Sequence, residues 1–117
     1  MMVRLGALVL FLFCNGAMAG QTVITAYPED NSFKFVWSGE EAVYRDKTTS
    51  LRCSFKDSFD GIDDLAEPYI GKSFACEYSI GILFKQLKKD NNSFILITDK
   101  EGKVVASTEV LVEVKNY

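Results

Sequence analysis

The chain has 117 residues, 13 basic and 16 acidic groups, a formal net charge of −3 and no histidine. That length admits one hydrophobic core, and the acidic balance argues against nucleic-acid phosphates and anionic lipid surfaces, which select basic faces. Without histidine, Ser-His-Asp and Cys-His nucleophilic sites and histidine-ligated zinc are excluded.

Residues 1–19 read as a signal peptide. Arg4 is their one charge, Leu5 to Phe13 form an apolar run, and Ala17-Met18-Ala19 is a small-x-small cleavage pattern, which predicts cutting between Ala19 and Gly20. The run is far shorter than the roughly 20 residues a membrane-crossing helix needs, so no membrane span is expected after cleavage. Cys14 leaves with this segment, and residues 20–117 form a single secreted domain, extracellular or, in a bacterium, periplasmic.

The first expected strand covers Thr22 to Tyr27, stopped by Pro28 and placed at a sheet edge. Next, Phe33, Phe35 and Trp37 alternate with Lys34, Val36 and Ser38, the pattern of a half-buried strand. A short strand near Ala42 to Arg45 follows. Then Leu51, Cys53 and Phe55 share an inward face against Ser50, Arg52, Ser54 and Lys56. Alternation fails from Lys56 to Lys72, where Asp60-Gly61, Pro68 and Gly71 predict a long loop with one helical turn at Ile62 to Ala66. It resumes with Phe74, Cys76, Tyr78 and Ile80 inward, and Ile82 and Phe84 continue it better than a short helix over Gly81 to Lys89 would. Phe94 to Ile97, the turn Asp99 to Gly102 and the return Lys103 to Val114 read as a hairpin whose inner row is Thr108, Val110, Val112 and Val114.

Cys53 and Cys76 both fall on inward faces. In an oxidising compartment they have each other to pair with, and closing the loop between them is worth about 3 kcal/mol.

About seven short strands with frequent turns predict an all-β, antiparallel β-sandwich, with a small β-barrel as the alternative. The run Ser93-Phe94-Ile95-Leu96-Ile97-Thr98-Asp99-Lys100-Glu101-Gly102-Lys103-Val104-Val105, followed by alternating Val110, Val112 and Val114, resembles the closing strands of immunoglobulin-like sandwich domains. The resemblance implies the sandwich architecture. It stops at this hairpin: Trp37 precedes Cys53 instead of following it, and Phe74 stands where a tyrosine precedes the second cysteine of antibody domains.

With no catalytic constellation and no phosphate-binding glycine loop, the sequence predicts a non-enzymatic binding module that presents loops to an extracellular or periplasmic protein, with no cofactor. The candidate contact residues are the acidic Asp57, Asp60, Asp63, Asp64 and Glu67, with Tyr44 and Arg45, residue types favoured at hot spots. The acidic run is not an EF-hand, since Lys56 and Ser58 occupy ligand positions, and a solvated loop explains it better than a metal site. Asn91-Asn92-Ser93 is an N-glycosylation acceptor if the source has an endoplasmic reticulum. Two other roles stay open. One is inhibition of a secreted hydrolase by a plugging loop. The other is carriage of an apolar small molecule, in which a closed barrel would line a cavity with Phe33, Phe35, Trp37, Phe55 and Phe74.

Overall fold

The structure is a computed structural model that describes residues 21–117; the expected signal peptide over residues 1–19, its cleavage site and Cys14 lie outside the described residues. Eight strands follow in chain order: β1 (Thr22–Tyr27), β2 (Phe33–Ser38), β3 (Glu41–Asp46), β4 (Ser50–Ile62), β5 (Pro68–Cys76), β6 (Gly81–Leu87), β7 (Ser93–Thr98) and β8 (Val104–Asn116). Each pairs antiparallel with the next, and β8 returns to pair with β1 from Thr22↔Asn116 to Tyr27↔Leu111. The result is a closed up-and-down barrel, which corrects the expected immunoglobulin-like sandwich. The hairpin that carried the resemblance is present as β7 and β8, but its last strand joins the first strand of the same sheet. Inward–outward alternation is identical in a sandwich and a barrel; the β1–β8 seam alone separates them. That seam also leaves β1 between two neighbours, not at an edge.

β4 and β8 are the two long strands, 13 residues each. The first part of β4 pairs with β3 up to Glu41↔Ser54, and the rest pairs with β5 out to Ile62↔Pro68. Likewise β8 pairs with β7 as far as Ser93↔Val110 and with β1 thereafter. Strands that change neighbours in this way turn the corners of a closed sheet. On β4 the corner coincides with a bulge between Phe55 and Asp57. One extra residue reverses the inward phase, which is why the alternation seemed to end at Lys56 although the strand continues. Instead of the expected long loop and helical turn, β4 and β5 run on to a tight turn closed by Ala66 N–H donating to the Asp63 carbonyl at 2.9 Å.

The interior is aromatic. Phe35 meets Phe74 edge to face with centroids 4.9 Å apart, and Trp37 lies 5.0 Å from Phe84 and 5.6 Å from Phe74. Phe35, Ile82 and Ile95 are fully enclosed. Eight strands leave an interior just wide enough for side chains to fill, and here the rings fill its middle. Each buried ring contributes about 1.5–3 kcal/mol relative to exposure. Cys53 and Cys76 stand directly opposite each other on β4 and β5, disulfide-bonded with Cα atoms 3.9 Å apart, as their shared inward phase predicted.

Two further expectations fail for local reasons. Tyr78, placed in the inward row, is 80% exposed, because Tyr78 and Ser79 both adopt positive φ and fold the chain back between β5 and β6. No glycine, asparagine or proline marks this turn. On β8, Val110 is buried at 6%, but Val112 and Val114 are 39% and 55% exposed. β7 begins at Ser93, opposite Val110, so the remainder of β8 has a neighbour on one side only.

Candidate functional site: the open end of the barrel

The β2–β3 turn, the start of β1 and the corner of β4 meet at one end of the barrel. Gly39 takes a positive φ of 61° in the β2–β3 turn, Phe55 N–H of β4 donates to the Glu40 carbonyl of that turn at 2.9 Å, and a gap lies beside them. The gap is a cavity of about 230 Å³ lined by Thr22, Ile24, Trp37, Ser38, Gly39, Phe55 and Lys72. Ile24 and Trp37 are Cα partners on β1 and β2, so their side chains share the inward face, and Phe55 supplies the opposite apolar wall just before the bulge. The rim is polar: Ser38 Oγ donates to the Thr22 carbonyl at 2.8 Å and receives a bond from Gln21 Nε2 at 2.6 Å.

Lys72 has inward phase, two residues before Phe74 and opposite Phe84. It is half-buried, its ammonium reaches Ser58 Oγ at 3.5 Å, and no carboxylate pairs with it among the described residues. An apolar pocket with one unneutralised cation at its edge can hold a small apolar body and draw an anionic or hydrogen-bond-accepting group toward the rim.

The structure divides the aromatic residues expected to line a carrier's cavity. Phe33, Phe35 and Phe74 belong to the filled middle, Trp37 belongs to it and also borders the opening, and Phe55 is partly buried at the opening. Thr22, Ile24, Ser38, Gly39 and Lys72 were not anticipated. Counting back by two from Phe74 would have placed Lys72 inward.

Of the acidic candidates, Asp57 stands at the β4 bulge opposite Ser73, whereas Asp60, Asp63, Asp64 and Glu67 lie toward the tip of the β4–β5 hairpin, where lysines of β6 and the β6–β7 turn meet three of them. Lys85 Nζ donates to Asp63 Oδ2 at 2.7 Å, Lys88 reaches Asp60 at 3.2 Å and Lys89 reaches Glu67 at 3.0 Å. Asp63 organises the turn: its other oxygen accepts from the N–H groups of Leu65 and Glu67, both at 2.9 Å. The hydrogen bond from Lys85, then that from the Glu67 N–H, holds its carboxyl below the usual aspartate range. The Lys85 ammonium also lies over the rings of Tyr69 and Phe94, 5.2 and 5.8 Å from their centroids. Beneath this cluster Phe59 crosses Tyr69, and a Cβ at Gly61 would sit 2.6 Å from the Tyr69 ring, so only glycine lets the ring lie on the strand. Asp57 and Asp64 are exposed and unpaired among the described residues.

Tyr44 is inside the barrel, packed on Phe33 at 5.3 Å and donating to Asp46 Oδ2 at 2.8 Å; burial, then that bond, pushes its phenol up to about 12. Arg45 is exposed next to it. Asn91 is exposed in the β6–β7 turn with φ 64°, and the hydroxyl of its partner Ser93 donates to the Asn91 carbonyl at 3.2 Å. Among the described residues no three histidine, cysteine, aspartate or glutamate side chains converge as a metal ion requires. No helix among them is long and apolar enough to cross a membrane, and the outward rows of β2 and β3 place Lys34 opposite Arg45 where a lipid-facing barrel carries an apolar band. No family model, curated protein or solved structure matches the chain.

Proposed function

We propose that the protein is a non-enzymatic, secreted binding barrel whose open end takes a small, mainly apolar ligand, with Ile24, Trp37 and Phe55 holding the apolar body and Lys72 drawing an acidic group to the rim. The single observation that carries this reading is the mainly apolar cavity of about 230 Å³ at the mouth, next to an inward-phase lysine without a carboxylate partner among the described residues. Because rings fill the middle of the barrel, the ligand sits at the opening and is limited in size. The disulfide fits an oxidising compartment and so supports secretion. Presentation of the acidic loop to a protein partner draws less support, since Asp60, Asp63 and Glu67 are already engaged by lysines of the same chain.

The test uses two aromatic probes of similar shape, anionic anilinonaphthalene sulfonate and uncharged phenylnaphthylamine. Each is expected to bind saturably at one site and to accept excitation energy from Trp37, the one tryptophan. Phe55→Ala weakens both probes, and Lys72→Gln weakens the anionic probe by about tenfold while leaving the neutral one within twofold, the size of one lost charge-assisted contact. Absence of saturable binding by either probe removes the proposal.

A further inference from the structure

The tail of β8 presents a strand edge that the barrel does not use. Tyr117 N–H donates to the Gln21 carbonyl at 2.8 Å, which fixes the direction of the backbone groups at the seam. In an antiparallel pair these groups alternate in direction along the strand, so Leu111, Glu113 and Lys115 turn theirs toward β1 and Val112, Val114 and Asn116 turn theirs away. β7 covers β8 only as far as Val110. Among the described residues no strand pairs with the outer edge of 111–116. Leu111, Val112, Val114 and Tyr117 are also exposed large hydrophobic residues. Natural sheets blunt such edges with proline, bulges, inward charges or charged side chains, lysine above all; this one has high β-propensity, and of those devices it carries only the charges of Glu113 and Lys115.

We infer that the occupant of this edge is the same edge of a second copy of the chain, joined antiparallel about a two-fold axis through Val114. The sequence is self-complementary in that register. Val114 lies opposite Val114 of the second copy, and Val112 opposite Asn116. Glu113 lies opposite Lys115, twice over, and Leu111 opposite Tyr117. The outward-turned N–H and C=O groups of Val112, Val114 and Asn116 are the ones that this register pairs. All four charged groups find an opposite charge directly across the ladder, where such pairs stabilise and like charges destabilise. A shift of the register by two residues would set Glu113 opposite Glu113 or Lys115 opposite Lys115. An isologous interface of this kind closes at two copies, so the exposed edge is used up instead of propagating.

Sedimentation velocity over a range of protein concentrations tests the inference. A concentration-dependent dimer is expected. Lys115→Glu, which sets like charges across the ladder at two places, raises the dimer dissociation constant at least about tenfold, and the swap Glu113→Lys with Lys115→Glu restores it to within about threefold. Both positions are exposed, and unchanged thermal midpoints identify variants whose barrel is intact. Amide exchange on the unaltered protein gives an independent reading: the Val112, Val114 and Asn116 amides are protected in the dimer and lose protection on dilution, while those of Leu111, Glu113 and Lys115 stay protected. A monomer at every concentration would mean that a different occupant, or none, uses the edge. That result overturns the inference, as does a dimer indifferent to the single reversal or not rescued by the swap.

Discussion

β4 and β8 do the same job in the barrel, each turning a corner over 13 residues, yet their far halves are finished differently. The far half of β4 is one arm of a hairpin. It pairs with β5 to the tip, and three lysines tie that tip to the neighbouring strand and turn. The far half of β8 has β1 on one side and a bare backbone edge on the other. Phase alone therefore does not bury a valine: Val110 and Val114 share the inward phase of one strand, but only Val110, opposite the buried Ser93 where pairing passes from β7 to β1, is enclosed.

The largest expected effect on this comparison comes from the bridge that anchors the covered strand. Replacing Cys53 and Cys76 together with alanine lowers unfolding free energy by about 3 kcal/mol, measured by urea denaturation, because the loop it closes spans 23 positions. A loss below about 1 kcal/mol would show that β4 and β5 are held by the ladder and the aromatic core alone. Next in size is the contrast along β8. Val110→Ala is expected to cost about 2 kcal/mol, and Val114→Ala to stay within about 0.5 kcal/mol at concentrations where the protein is monomeric. Equal losses would mean that something encloses Val114 even in the monomer.

The smallest global effect is at the tip of β4. Asp63→Asn removes the acceptor of Lys85, and the expected change is local: cleavage by a protease within the 63–67 turn becomes roughly threefold faster or more, while the unfolding midpoint barely moves. The pH dependence has a definite sign. Because the folded carboxyl titrates below its ordinary value of 3.8, its contribution is complete above that value. It disappears as the pH falls further, through the lowered one. Acid therefore loosens the tip, and the asparagine variant shows no such dependence.

Much of the β character was legible. Phe33, Phe35 and Trp37 fall inward as read, the two cysteines meet, and Gly102 takes the φ of 82° that the β7–β8 turn needs. Closure was not legible, because it rests on Ile24 meeting Val114 across almost the whole chain, and neither local sequence says which sheet its strand will join. The bulge after Phe55 hid the second half of β4 by reversing phase, and the Tyr78-Ser79 turn carried only a serine, the weakest of the residues that announce a reversal. The candidate site was half visible. Trp37 and Phe55 were named as cavity residues, but the opening depends on the corner of β4 and on the residues the seam brings beside them.

The neighbour-to-neighbour order of the strands has a kinetic consequence. Seven of the eight ladders join segments adjacent in the chain, so they can zip one hairpin at a time with little loop entropy to overcome, whereas the β1–β8 ladder must bring together the two extremes of the described chain. Folding is therefore expected to pass through a curled, still-unsealed ribbon, with Ile24 and Val114 the last residues to find each other.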